Sequence, residues 1–348
     1  TSSAVVSASS SEGEGGRVEL IGDLGHGIGQ FGGKIYATGR RRGGFVDTSG
    51  ATVLIDDALR VNTSSAEGQA GTWLIDPNDF TIAASGGNIT GSALSGNLAN
   101  NDIIISTATQ GTAGGNGDIF VRDNVTWSSG KTLTLNAERN INILATIDAA
   151  QSPTGKVVLQ YGQGAVAIGN TANFNFGLKS DGFTGKLNLH AGNNLSTKLG
   201  SNGSVIDYTV ITQLGHEGSI SGTDLQGMNG NLTGNFALGA DINAGDGNAS
   251  TANWNSTAGF DGIGSTSANG SFKGRFTGLG HSISGLTINR PTTGSVGLFD
   301  YAEDATIRDV LVLNANVVGN NTVGTLAGLA AGTQFYQVAS SGEVSASG

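Results

Sequence analysis

Cysteine is absent from the 348 residues; proline occurs three times, tryptophan three times and methionine once. Without cysteine there is no disulfide framework and no thiolate nucleophile or metal ligand. Three prolines beside 59 glycines exclude a collagen-like chain. Charged residues make up only 13%, against about a quarter in an average soluble domain. Basic residues are the scarcer sign, 17 Lys and Arg against 27 Asp and Glu, for a net charge of -10. Nucleic acid, held by neutralising phosphates, is therefore not an expected partner. The one basic cluster, Arg40-Arg41-Arg42, reads as a surface loop. No run approaches the ~20 apolar residues of a membrane helix. TSSAVVSASSSEGEGG at the start has neither the basic onset nor the apolar core of a signal peptide, and SSGEVSASG at the end stops in mid-pattern. The chain is expected to be a fragment of a longer protein.

Short apolar runs separated by Gly, Asn, Ser, Thr and Asp fill the chain. RVELIG, GKIYATG, NDIIISTATQG, GDIFVRDNVTW and GKVVLQYG are examples. In KTLTLNAERNINILATIDA, Leu133 and Leu135 share one parity with Ile141, Ile143 and Ile147, while Thr132 and Thr134 take the other. Period-two alternation means strands buried on one face. Strands recur every ~8–12 residues with no helical apolar period between them, which fits a sandwich or an antiparallel barrel as well. Recurrence of Gly-Lys before an apolar run, at Gly33, Gly130, Gly155 and Gly185, favours a coil that repeats itself. The expectation is an all-β, right-handed parallel β-helix with three-sided coils. Stacked aliphatic residues would fill it, and Gly or Asn (Asn140, Asn193-Asn194, Asn320-Asn321) would take corners that need φ > 0. Composition shifts near residue 206, dividing the chain into shaft coils over 1–205 and a second repeat style over 206–348. One short helical or irregular insertion is expected near 212–230, around Asp224–Met228. Inward positions in the second part are Phe272, Phe276, Leu279, Ile283, Leu286, Ile288, Ile307, Val310, Val312 and Val317.

The ordered segments GGFVDTSG, AGTWLIDPNDFTI, GNFALGADINA, SFKGRFTGLGHSISGLTI and VGLFDYAEDATIRDVLVLNANVVG resemble the large filamentous-haemagglutinin-like adhesins of Gram-negative bacteria, nearest to the high-molecular-weight branch. VGTLAG in the tail resembles the short glycine signature of GLUG-type repeats. The likeness runs from about Gly43 to Gly348. It implies a right-handed parallel β-helix, two-partner secretion through an outer-membrane β-barrel transporter, and a role in adhesion or biofilm at the cell surface. Host or matrix glycans or proteins would be the partners. The amino-terminal secretion domain of such adhesins is not visible in this sequence.

Several constellations could carry chemistry. Trp73 beside Asp76 and Asp79 suggests an aromatic platform next to a carboxylate pair, but Asp-Pro-Asn-Asp is ordinary turn chemistry and the turn reading leads. Asp56-Asp57 and the trio Asp300, Glu303 and Asp304, with Arg60 and Arg308 nearby in sequence, would serve a polysaccharide lyase or glycoside hydrolase built on the same fold. Asp241, Asn243, Asp246 and Asn248 offer oxygens to calcium without the spacing of a known loop. His26, His190, His216 and His281 have no zinc-ligand spacing. Asn62, Asn88, Asn124, Asn231 and Asn269 head Asn-x-Ser/Thr triplets. Trp127, Trp254, Tyr301, Phe335 and Tyr336 are the aromatics that a glycan-binding groove would expose, the two tryptophans and two tyrosines foremost. The expectation is a non-enzymatic adhesin segment with no cofactor and no metal. A lyase or hydrolase and a ligand-free spacer are the rivals.

Overall fold

The computed structural model describes residues 4–107, 116–245, 250–266 and 270–348. It is nearly all β, and its strands run parallel in stacked coils, a β-solenoid. The chain forms two compact units. Unit 1 comprises residues 1–177, 184–186 and 195–206, and unit 2 comprises 178–183, 187–194 and 207–348.

Each coil of unit 1 contributes up to three strands, one to each face. On the first face Arg17–Ile21, Phe45–Ser49, Thr72–Asp76, Asp102–Ser106, Thr132–Asn136, Lys156–Tyr161 and residues 195–199 lie side by side in parallel register. The second face pairs Ile28–Phe31 with Thr52–Ile55, then stacks Phe80–Ile82, Ile119–Val121, Ile141–Ile143 and Phe174–Asn175. On the third face Val5–Ser7, Lys34–Tyr36 and Arg60–Asn62 form one ladder, and Val125–Thr126 pairs with Thr146–Ala149 in another.

In-register stacking puts like side chains in columns. Val46, Trp73, Ile103, Leu133, Val157 and Leu195 form one inward column of the first face, and Ile75, Ile105, Leu135 and Leu159 form the next. Phe80, Ile119, Ile141 and Phe174 make a column on the second. All are buried. Trp73 is 0% exposed, so its indole N–H must be satisfied inside. It donates to Thr48 Oγ1 at 3.0 Å, which explains a buried threonine at an otherwise aliphatic position. The predicted parity of Leu133, Leu135, Ile141, Ile143 and Ile147 is the observed one, each 0% exposed.

Unit 2 repeats the principle with longer bends. Asn235–Leu238, Arg275–Thr277, the start of Thr306–Gly319 and the start of Gln334–Ala346 stack Phe236, Phe276, Ile307 and Phe335 in one column. The single strand Thr306–Gly319 turns two corners, at Asp309 (φ 54) and Asn314 (φ 53). Its three segments therefore pair separately with Arg275–Thr277, Ser282–Ser284 and Thr287–Asn289. Phe272, Phe276 and Phe299 pack ring against ring at 5.1 and 5.4 Å in the core. Every inward position expected in this part, from Phe272 to Val317, is 0% exposed.

Three details differ from the sequence expectation. Asn140, Asn193, Asn194, Asn320 and Asn321 do not adopt φ > 0, which falls instead to glycines such as Gly33 and Gly162 and to Leu279, Asp304, Asp309, Asn314 and others. Asn140 serves its corner through its side chain. Gly-Lys does not mark one position in the coil, since Gly33-Lys34 opens a third-face strand while Gly130-Lys131 and Gly155-Lys156 precede first-face strands. Finally, the expected turn near Asp224–Met228 is a 3-10 helix over Gln226–Gly230, but an α-helix, α1 (Gly91–Asn97), was not expected at all. Its GSALSGN sequence offers only Ala93 and Leu94 as apolar residues and contains two glycines, so nothing in its propensity announces a helix. Thr90 caps it, its hydroxyl accepting the Ala93 N–H at 3.2 Å.

Candidate functional site

Polar side chains inside and between the coils have a definite task, satisfying backbone groups. At the corner between the first and second faces of unit 1, Asp79 accepts the Asn116 and Asp118 N–H groups at 3.0 Å. Asp118 accepts the Asn140 N–H at 3.0 Å, and Asn140 accepts the Asn173 N–H at 2.9 Å. Burial pushes the Asp118 carboxyl up, but the Arg139 guanidinium and the Asn140 donors outweigh it and hold the group below the usual carboxylate range. The Asp118–Arg139 pair is bidentate, at 2.9 and 2.5 Å. Asp79 is therefore a rung of an Asx ladder, as its turn position leads one to expect. Asp76 lies at the end of the Trp73 strand and is 7% exposed.

Amides splice the helical segments into the sheets. Helix α1 stands where coil three should supply a third-face strand to Arg60–Asn62. A helix has no outward-facing N–H and C=O ladder to offer. Asn97 and Asn101 provide it, one helical turn apart. Asn97 accepts the Val61 N–H at 2.8 Å and donates to Leu59 O at 3.2 Å. Asn101 accepts the Thr63 N–H at 2.7 Å and donates to Val61 O at 2.9 Å. Toward the next coil, Ser95 Oγ accepts the Thr126 N–H at 2.9 Å and Ser129 Oγ donates to Leu98 O at 2.6 Å. Unit 2 uses the same device at its 3-10 helix. Gln226 brackets Asp261, accepting its N–H at 3.0 Å and donating to its O at 2.8 Å, while Asn229 accepts the Gly264 N–H at 3.0 Å.

Most of the candidate lyase groups are taken up by local contacts within their own unit. Asp57 accepts the Thr90 hydroxyl at 2.6 Å, Asp56 accepts the Ala58 N–H at 2.8 Å, and Arg60 donates to Asp57 O and Leu59 O. Glu303 is paired with Lys273 at 2.9 Å and accepts the Ser271 hydroxyl; Lys273 holds its carboxyl below the ordinary range. Asp304 is a corner residue with φ 50. Arg308 is engaged with the buried Asp309 at 2.5 Å.

Asp300 is the most perturbed of the set. Burial raises its carboxyl to about 7, against the opposing pull of the Gly297 N–H and Arg290. It accepts the Gly297 N–H at 3.0 Å and packs directly on Gly262, where a Cβ would overlap the carboxylate. Beside it Arg290 pairs with Asp261 at 3.1 Å. Perturbed carboxyls concentrate at functional sites, but a carboxyl closed in by a corner glycine is equally what desolvation alone produces.

The proposed glycan-contact aromatics separate into two groups. Trp127 is 4% and Trp254 is 7% exposed, which corrects the expectation that they face a ligand. Trp127 fills the interior of unit 1 and donates to Lys131 O at 3.1 Å; Trp254 packs on Phe260 with centroids 6.4 Å apart in unit 2. Tyr301 is half-buried, and Tyr336 is 40% exposed with the Arg308 guanidinium 5.0 Å above its ring. Phe335, 41% exposed, lines an apolar recess of about 450 Å³ with Leu326, Ala327 and Val338.

Among the described residues no group of three or more His, Asp or Glu could hold a metal ion. Asp241 accepts the Ser282 N–H and hydroxyl, and Asn243 accepts the Gly245 N–H in an Asx turn. Asp246, Asn248 and Asn269 lie outside the described residues. His281 is a buried corner residue, Nε2 at 3.1 Å from Leu187 O and Nδ1 at 3.4 Å from Asp241. The Asn88 amide is committed at both ends, to Val53 O and the Thr81 N–H.

No family model matches the chain, and no solved structure matches it. It is similar to Halomucin of Haloquadratum walsbyi, 33% identical over 143 residues, a stretch that covers 38% of this chain and 1% of Halomucin. The matched stretch is thus a very small part of a very long relative.

Proposed function

We propose that the chain is a non-enzymatic segment of a secreted or cell-surface protein of the adhesin type, a run of solenoid coils whose primary task is structural. The observation that carries this reading is the use of the polar side chains. Asp79, Asp118, Asn140, Asn97, Asn101, Gln226 and Asn229 all bind backbone groups of a neighbouring coil. Side chains so engaged hold a scaffold; they are not poised on a substrate. Similarity to a short stretch of the far longer Halomucin supports a place within a large repeat protein. On the resemblance described above, the finer form of the proposal is a filamentous-haemagglutinin-like shaft with GLUG-type repeats. Such a shaft would be exported from a Gram-negative cell through its outer-membrane partner and would act in adhesion or biofilm on glycan or protein receptors.

Burial of Trp127 and Trp254 favours a spacer role for the coils that contain them, with binding confined to other surfaces. Two measurements test the proposal. Incubation with pectin, alginate and other polysaccharides is expected to give no chain cleavage; release of reducing ends or unsaturated products would refute the non-enzymatic reading. A glycan and matrix-protein array is expected to show weak binding, because a repeat surface gains strength by multivalency. Silence across the array would leave the spacer alone.

A further inference from the structure

One polar surface of unit 1 is not consumed by the scaffold. Where the third face turns back toward the first, consecutive coils present Ser10-Ser11, Thr38-Gly39-Arg40 and Ser64-Ser65-Ala66-Glu67, which line an open groove of about 590 Å³. This lies within the usual range of small-ligand sites, about 300–1,000 Å³. The groove is built from braced loops. Ser9 Oγ accepts the Thr38 N–H at 3.1 Å, Ser10 Oγ accepts the Gly13 N–H at 2.9 Å, and Ser65 Oγ accepts the Gly68 N–H at 3.0 Å while donating to Arg40 O at 2.9 Å. Backbone bonds Ser10 N–H to Thr38 O, at 2.9 Å, and Gly39 N–H to Ser64 O, at 3.2 Å, fix the spacing between coils.

Two properties of the lining select a ligand. Its charges cancel, because Arg40 Nε lies 2.7 Å from Glu67 Oε1. Its remaining hydroxyls, on Ser11, Thr38 and Ser64, make no hydrogen bond within the protein among the described residues. Each can donate one hydrogen bond and accept two, as a sugar hydroxyl can. Stacked strands are about 4.8 Å apart, close to the length of one pyranose unit, so consecutive rings of an extended saccharide would meet consecutive coils.

We propose that this groove binds a neutral oligosaccharide laid across the coils, with Thr38 and Ser64 hydrogen-bonding successive rings. The inference deepens the adhesin reading and rests on it. Titration of the ¹⁵N-labelled chain with maltotriose, mannotriose and chitotriose, and with trigalacturonate as the charged comparator, tests it. At least one neutral trisaccharide is expected to shift the amides of Thr38, Gly39, Ser64 and Ser65. The Thr38→Val/Ser64→Ala double variant is expected to bind it about tenfold more weakly, the loss of two modest hydrogen bonds, with an unchanged melting temperature. No shift at these amides with any neutral trisaccharide, tighter binding of trigalacturonate there, or equal affinity in the double variant each overturns the proposal. A glycan-array signal that survives in the double variant overturns the groove and leaves the adhesin reading standing.

Discussion

Removing the Asn101 amide should damage unit 1 more than its size suggests. Asn101 is 0% exposed and Asn97 1% exposed. Asn101 accepts both the Thr63 N–H and the Thr63 hydroxyl, at 2.7 and 2.8 Å, and donates to Val61 O and Asn97 O, at 2.9 and 2.7 Å. Leucine has a similar volume and none of these bonds. Asn101→Leu therefore strands two buried donors, at about 1–3 kcal/mol each, while the two carbonyls lose one acceptor interaction apiece. The expected loss is about 3–5 kcal/mol, a large share of a typical domain's stability. Asn101→Asp separates the two roles of the amide. Its carboxylate still accepts from Thr63 but cannot donate, and it is buried, so its damage should shrink as pH falls and the acid protonates. Urea unfolding followed by tryptophan fluorescence gives the global loss, since Trp73 and Trp127 lie in the same unit. Hydrogen exchange at the Val61 and Thr63 amides gives the local one. Loss of less than about 0.5 kcal/mol in Asn101→Leu, with Thr63 protection unchanged, would refute the idea that side-chain amides stand in for the missing strand.

Other perturbations follow from the same structure. Asp300 and Asp309 are buried acids raised to about 7 and about 6 from an ordinary 3.8. Each binds its proton more tightly folded than unfolded, so unit 2 should lose stability as pH rises from about 4 to about 7, by up to about 4 kcal/mol for Asp300, and Asp300→Asn should flatten that slope in denaturation series. Gly71 has no room for a methyl group, because its Cβ would overlap Gly44 O. Gly71→Ala should destabilise unit 1 by about 1–3 kcal/mol or more in thermal melts; a neutral result would contradict the close approach of the coils. Asp76→Ala with Asp79→Ala should lower local stability, seen as faster exchange at Asn116 and Asp118, and alter no polysaccharide-cleaving activity.

Much of the fold was legible because its rule is local. Alternation in TLTLN and INI assigns Leu133, Leu135, Ile141 and Ile143 to the interior without knowledge of their neighbours. The amide splices were not legible, because Asn97 and Asn101 act on Leu59, Val61 and Thr63 some forty positions earlier, and their helical spacing is meaningful only once α1 is known. The Asx ladder was hidden by variable loops: Asp79, Asp118, Asn140 and Asn173 have no common sequence interval. Trp127 and Trp254 were misread for a related reason. Outside an unbroken alternation, the sequence does not say which way a ring points, and both turned inward where the coil interior had volume to fill.

The Asx ladder also has a direction. Asp79 waits for Asp118, Asp118 for Asn140, Asn140 for Asn173, and likewise Asp102 for Thr132, Asn124 for Thr146 and, in unit 2, Asp241 for Ser282. In each of these the acceptor belongs to the earlier coil and the N–H to the later one. The amide splice runs the other way, since Asn97 and Asn101 reach back to accept the Val61 and Thr63 N–H groups. A turn carrying a ladder rung thus holds an oxygen aimed at the backbone that follows it, whereas Val61 and Thr63 keep donors that only the later helical segment can satisfy.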